Sequence, residues 1–184
     1  MKSLLALIAL FSLSACNQPL PSGEMVPMTQ IYGQLPKNNA LERSITLGKV
    51  SVLENAETGG FITPENYQEA ISTALLTSGM KTRSEDKAKY TLDAELIDYD
   101  NPFAFFETTI KYKARYILRQ TDTGRIALDE TVSIPYTAKF AESPDSAQRL
   151  RIAIVKAVRE NITHMLRVLA SKTHKDLSGK GKKS

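Results

Sequence analysis

Cysteine is almost missing from these 184 residues: Cys16 stands alone, so no disulfide can form within the chain, even in an oxidising compartment. Histidine is nearly as scarce, with only His164 and His174. A zinc site needs three or four Cys, His or acidic ligands at suitable spacing, and no such pattern occurs. Neither a phosphate-cradling glycine loop nor a nucleophile elbow is present. Asp93 and Glu95 are paired carboxylates, but they alternate on a strand face that carries other charges, so a solvated ladder accounts for them. His164 reads as a helix-surface residue, because no acid or nucleophile has a reason to meet it. These gaps predict a protein that is not an enzyme and takes no metal or cofactor.

Basic residues are not in general excess either, despite a formal charge of +4. Of 24 Lys and Arg, Lys2 belongs to the N-terminal leader and five lysines fall in residues 172–184, leaving 18. Of 20 Asp and Glu, only Asp176 falls there, leaving 19. The body of the chain is near neutral, which excludes the basic face of a nucleic-acid binder. The tail at 172–184 reads as disordered. It is either a solubilising end or a weak electrostatic contact with anionic headgroups or peptidoglycan.

What is present begins with one apolar run, Leu4 to Leu13, broken only by Ser12 and preceded by Lys2. Its length suits a signal-peptide core and falls short of the ~20 residues a spanning helix needs. The run closes on Leu13-Ser14-Ala15-Cys16. This motif resembles the lipobox of bacterial lipoproteins. The resemblance implies a leader over residues 1–15, with Cys16 diacylated on sulfur and acylated on its new amine. Two or more acyl chains make a stable anchor where one binds only reversibly. Asn17, standing where an aspartate would retain the protein at the inner membrane, implies the periplasmic face of the outer membrane.

Residues 16–43 contain Pro19, Pro21, Pro27 and Pro36 and hold no period for long, so they read as a tether. Met25, Val26, Met28, Ile31, Tyr32 and Leu35 are more apolar than a spacer needs, so part of it packs on the domain or a partner. The globular domain is predicted over 44–171. Its first strand, 45–53, changes apolar parity between Leu47 and Val50, and Gly48 is the natural place for a bulge. Thr63 and Pro64 open a helix whose stripe is Tyr67, Ala70, Ile71, Ala74 and Leu75, with Gly79 as its stop. Two strands follow, with Ala88, Tyr90, Leu92, Ala94 and Leu96 inward on one and Ile110, Tyr112, Ala114, Tyr116 and Leu118 on the next. Their outward faces carry opposite charge, which predicts antiparallel pairing with Asp93 and Glu95 near lysines.

Thr121-Asp122-Thr123-Gly124 signals a hairpin into a fourth strand, in which Ile126, Leu128, Val132, Ile134 and Tyr136 share one parity and Pro135 marks an edge. Ser143-Pro144-Asp145 opens a second helix with a stripe from Ala147 to Leu169. The order β-α-β-β-β-α predicts an α+β two-layer sandwich: a four-stranded, mostly antiparallel sheet with two helices on one face. Tyr99, Phe103, Phe105 and Phe106 cluster between the second and third strands. They either cap the open end of the core or form an exposed docking patch.

Lipobox, proline-rich tether and this element order together resemble small envelope lipoproteins: the LPS-assembly lipoprotein, the YajG-like group and the auxiliary lipoproteins of ABC-type transporters. The resemblance implies a non-catalytic accessory or assembly subunit of an envelope transport complex, held to the membrane by its acyl chains. Phe103, Phe105 and Phe106 are the candidate contacts with the protein partner. The alternative is a module that carries a lipid or glycan between the apolar sheet face and its helices.

Overall fold

The computed structural model describes residues 19–36, 39–52, 61–100 and 106–178. In chain order these form α1 (Ser22–Met25), α2 (Thr29–Gln34), β1 (Ile45–Val52), α3 (Pro64–Thr77), a 3-10 turn (Glu85–Lys87), β2 (Tyr90–Asp100), β3 (Glu107–Gln120), β4 (Ile126–Lys139), α4 (Ser146–Ala170) and α5 (His174–Leu177). The strands make one sheet in the order β1-β2-β3-β4. β2–β3 and β3–β4 are antiparallel, whereas β1 and β2 run parallel. The sheet is therefore mixed. The reason lies in the connection: α3 carries the chain back along the sheet, so β2 starts again at the end where β1 began.

Local sequence explains the helix boundaries. Thr63 and Asn66 exchange the two hydrogen bonds of a capping box, Pro64 follows the cap, and Gly79 leaves the helix at φ +74°. α3 buries Tyr67, Ala70, Ile71, Ala74 and Leu75, the stripe its spacing predicts. α4 starts later than expected. Asp145 is its cap, accepting from the Ala147 amide. Ser143 and Pro144 instead offer their carbonyls to the Arg149 guanidinium at 2.8 Å each. Ala147 is thus exposed, and Arg149 is buried. At 25 residues α4 extends ~37 Å, crossing β3 and β4.

The core lies between the helices and one sheet face. Ile45, Leu92, Leu96, Ile110, Tyr112, Tyr116 and Leu118 meet Tyr67, Ile71, Leu75, Ile154, Val158 and Ile162 there, all fully buried. Each such large side chain contributes ~1.5–3 kcal/mol over leaving it in water. β1 carries the bulge: its register slips between Leu47 and Val50 against β2. β4 is an edge strand, as Pro135 requires, but Ile126 at its start is 47% exposed.

Of the two flanking segments, the first packs on the domain as its apolar residues suggested, and the second departs from the expected disorder. Within the expected tether, Leu20, Met25 and Leu41 are fully buried in the core. Within the expected tail, Thr173 and Asp176 form a capping box that starts α5, and Leu177 is buried. Isolated apolar residues anchor both segments, which is why neither shows a period.

Candidate functional site

Inside the sandwich Tyr67, Tyr116 and Asn161 hydrogen-bond with one another, while the buried Tyr112 hydroxyl beside them has no hydrogen-bond partner among the described residues. β3 brings Tyr112 and Tyr116 beneath Tyr67 of α3 and Asn161 of α4. The Tyr67 and Tyr116 hydroxyls share a hydrogen bond at 2.8 Å, and Tyr116 donates to Asn161 Oδ1 at 2.7 Å. The Asn161 amide then donates to the carbonyls of Tyr112 and Val132, each at 3.2 Å. The Tyr67 and Tyr112 rings meet edge to face, 6.1 Å apart. Desolvation raises all three phenols well above the ordinary tyrosine value. The network joins both helices to the sheet; its groups face protein rather than a bound substrate. Asn161 is a polar residue on the apolar stripe between Val158 and Met165, and that interruption was its signal in the sequence.

The opposite sheet face bears paired charges. Arg115 grips Asp129 bidentately, Nε to Oδ1 at 2.8 Å and Nη2 to Oδ2 at 2.6 Å. This guanidinium holds the Asp129 carboxyl below the usual carboxylate range. Arg119 Nε reaches Asp93 Oδ2 at 3.2 Å, while Asp93 Oδ1 accepts the Lys49 amide at 3.0 Å across the β1 bulge. The partners are arginines, not the expected lysines, because the β2–β3 register sets Glu95 opposite Arg115 and Asp93 beside Arg119. A shallow cleft opens here, lined by Lys49, Asp93, Glu95, Arg115 and Ile117. Both aspartates are already engaged by arginine, which fits a recognition surface better than an acid–base couple.

The third feature is the seat of the N-terminal segment. The Leu20 amide donates to the Phe61 carbonyl at 2.8 Å, and Asn66 donates to the Leu20 carbonyl at 2.9 Å. Farther along, Arg151 pairs with the Glu24 carboxylate at 3.2 Å, and Arg159 Nε donates to the Glu24 carbonyl at 3.1 Å. The segment thus crosses from the start of α3 to α4 as a strap. Beside it Lys156 meets Glu142 and the Tyr136 hydroxyl. The Lys156 contact, helped by the Lys139 amide, lowers the Glu142 carboxyl to about 2.

Of the residues singled out from sequence, Cys16, Phe103 and Phe105 lie outside the described residues. Phe106 stands 74% exposed at the foot of β3. Sequence reasoning missed Phe140, which is 53% exposed just after β4. The last pair between these strands is Glu107–Lys139, so Phe106 and Phe140 come next on the two chains. The Arg149 guanidinium lies 5.5 Å from the centre of the Phe140 ring. His164 is half-buried on α4, and Tyr99, next to last in β2 and so toward the same end of the sheet as Phe106, has its phenol pushed up to about 12 by burial.

No family model matches the chain, and no curated protein does. Solved structures do. A protein of Chlamydia trachomatis matches with a TM-score of 0.52 at 9% identity, over 71% of this chain and 99% of its own. A DUF330-family protein of Xanthomonas campestris matches with a TM-score of 0.51 at 12% identity, over 79% and 87%. A minor lipoprotein of Acinetobacter baumannii gives 0.47 at 9% identity, over 71% and 92%. The first two establish that this α+β fold is one already seen in bacterial proteins.

Proposed function

We propose that the protein is a non-catalytic lipoprotein of the outer membrane, serving as an accessory or assembly subunit of an envelope transport complex. The observation that carries the subunit role is the uncovered sheet face, where Arg115, Arg119, Asp93 and Asp129 form a rigid charged relief beside a shallow cleft. Complementary charge on a partner would set register and orientation more than raw affinity. The anchor rests on Leu13-Ser14-Ala15-Cys16. The interior, where the alternative would house a lipid or glycan, is filled by Tyr67, Tyr112, Tyr116 and their apolar neighbours.

Two measurements test this. Cells fed labelled palmitate should yield labelled protein, and Cys16→Ser should remove the label. Crosslinking in intact membranes should capture an envelope protein, and Arg115→Glu/Arg119→Glu should lose it. Unlabelled wild-type protein would refute the anchor; capture unchanged by the charge reversals would refute the assigned surface.

A further inference from the structure

We infer that one end of the sandwich, the end bearing Phe106 and Phe140, rests on the phospholipid leaflet that receives the acyl chains. The inference builds on the lipid anchor proposed above and adds an orientation to it.

Three observations converge. Leu20 is fixed by hydrogen bonds at both its amide and its carbonyl and by full burial, so only three residues separate a seated position from Cys16. The four steps from Cys16 to Leu20 reach at most ~14 Å even when fully extended. The leaflet is therefore held against the part of the domain where Leu20 sits, and a long-leash arrangement is excluded.

Topology says which part that is. α3 runs opposite to β1, and Leu20 sits at its start, beside Phe61 and Asn66. β1 and β2 finish at that end, β3 begins there, and β4 finishes there before α4 starts. Both long helices thus have their N-termini at the same end as the Leu20 seat. The strap's hold on Arg151, in the second turn of α4, agrees with this placement, and its hold on Arg159 carries it on to the middle of that helix.

The third observation is apolar. Phe106 and Phe140 follow directly on the Glu107–Lys139 pair and are 74% and 53% exposed at this end. Exposed phenylalanines cost solubility in water, whereas at a membrane surface apolar side chains such as Phe are buried at the boundary between headgroups and acyl chains. Lys139, exposed on the same turn, would stand among the phosphates. The opposite end, at the β3–β4 hairpin, then points into the periplasm and leaves the charged sheet face accessible from the side.

The chain has no tryptophan, so single replacements report on position without background. The mature lipidated protein, carrying Phe106→Trp, Phe140→Trp or Ile126→Trp, is reconstituted into phosphatidylethanolamine–phosphatidylglycerol vesicles with doxyl-labelled lipid. Flotation is measured on each sample first. Tryptophan at 106 and 140 should emit at shorter wavelength and lose most of its intensity to the doxyl group. Tryptophan at 126, at the far end, should keep both its wavelength and its intensity. Protein that fails to float shows that the anchor reading is wrong. Protein that floats with 106 and 140 as unquenched as 126 overturns the orientation alone. So does a shift seen only in native membranes, which would assign the aromatic end to a protein partner.

Discussion

The two faces of the sheet handle polar groups in opposite ways. On the inner face, the hydroxyls of Tyr67 and Tyr116 and the amide of Asn161 are fully buried and satisfied by one another and by main-chain carbonyls. On the outer face, Arg115 with Asp129 and Arg119 with Asp93 keep their ends in water. A buried group left without its partner bears the full cost of desolvation, whereas an exposed ion pair is replaced by water at little loss. The inner polar groups accordingly hold the fold, and the outer ones are free to serve recognition.

The largest effect that tests this contrast is alkaline. Folded-state phenol values raised by burial give stability that is complete below the unfolded value of 10.0 and lost as pH climbs from there toward the folded values. Tyr67, Tyr112 and Tyr116 should ionise only as the fold opens, so phenolate absorbance and loss of circular dichroism should rise together above pH 10. Ionisation of all tyrosines while the fold persists would break the comparison. Next, Asn161→Ala should cost about 3 kcal/mol in urea unfolding, because it leaves the Tyr67–Tyr116 hydroxyl pair with one proton lacking an acceptor and opens a gap.

Gly48→Val should cost less, about 1–2 kcal/mol. A Cβ at Gly48 meets Asp93 Oδ1 and Thr91 Cγ2, and Asp93 is tied to Arg119 and the Lys49 amide, so it gives way only by surrendering them. The smallest effect belongs to Arg115→Ala, expected near the limit of measurement and indifferent to added salt once the pair is gone. If Arg115→Ala matched Asn161→Ala, the division between a structural and a recognition face would collapse.

Much of this was legible in the residues. Period-two alternation in β2 and β3 placed Tyr112 and Tyr116 inside, and the α3 stripe matched its buried residues one for one. The parity change around Gly48 announced the bulge because side chains alternate strictly. Opposite outward charge and the Thr121–Gly124 turn announced the antiparallel pairs β2–β3 and β3–β4, but the direction of β1 was not legible, since alternation reads the same both ways; its parallel pairing with β2 follows only from the return path through α3. Met25 was flagged as too apolar for a spacer, but Leu20 and the path of the strap escaped, because these residues enter the core singly, among prolines, with no period to betray them. Phe140 escaped because one exposed ring is unremarked until β-sheet register sets it beside Phe106.

The contacts from Glu24 to Arg151 and Arg159 close loops of 127 and 135 residues. Closure of such long loops comes late in folding, after local helices and hairpins have formed. The segment around Glu24 and the early and middle turns of α4 therefore share one seam. Removal of the strap and loss of the two arginines should loosen the same seam, so deleting residues 19–28 and the pair Arg151→Ala/Arg159→Ala ought to produce the same defect.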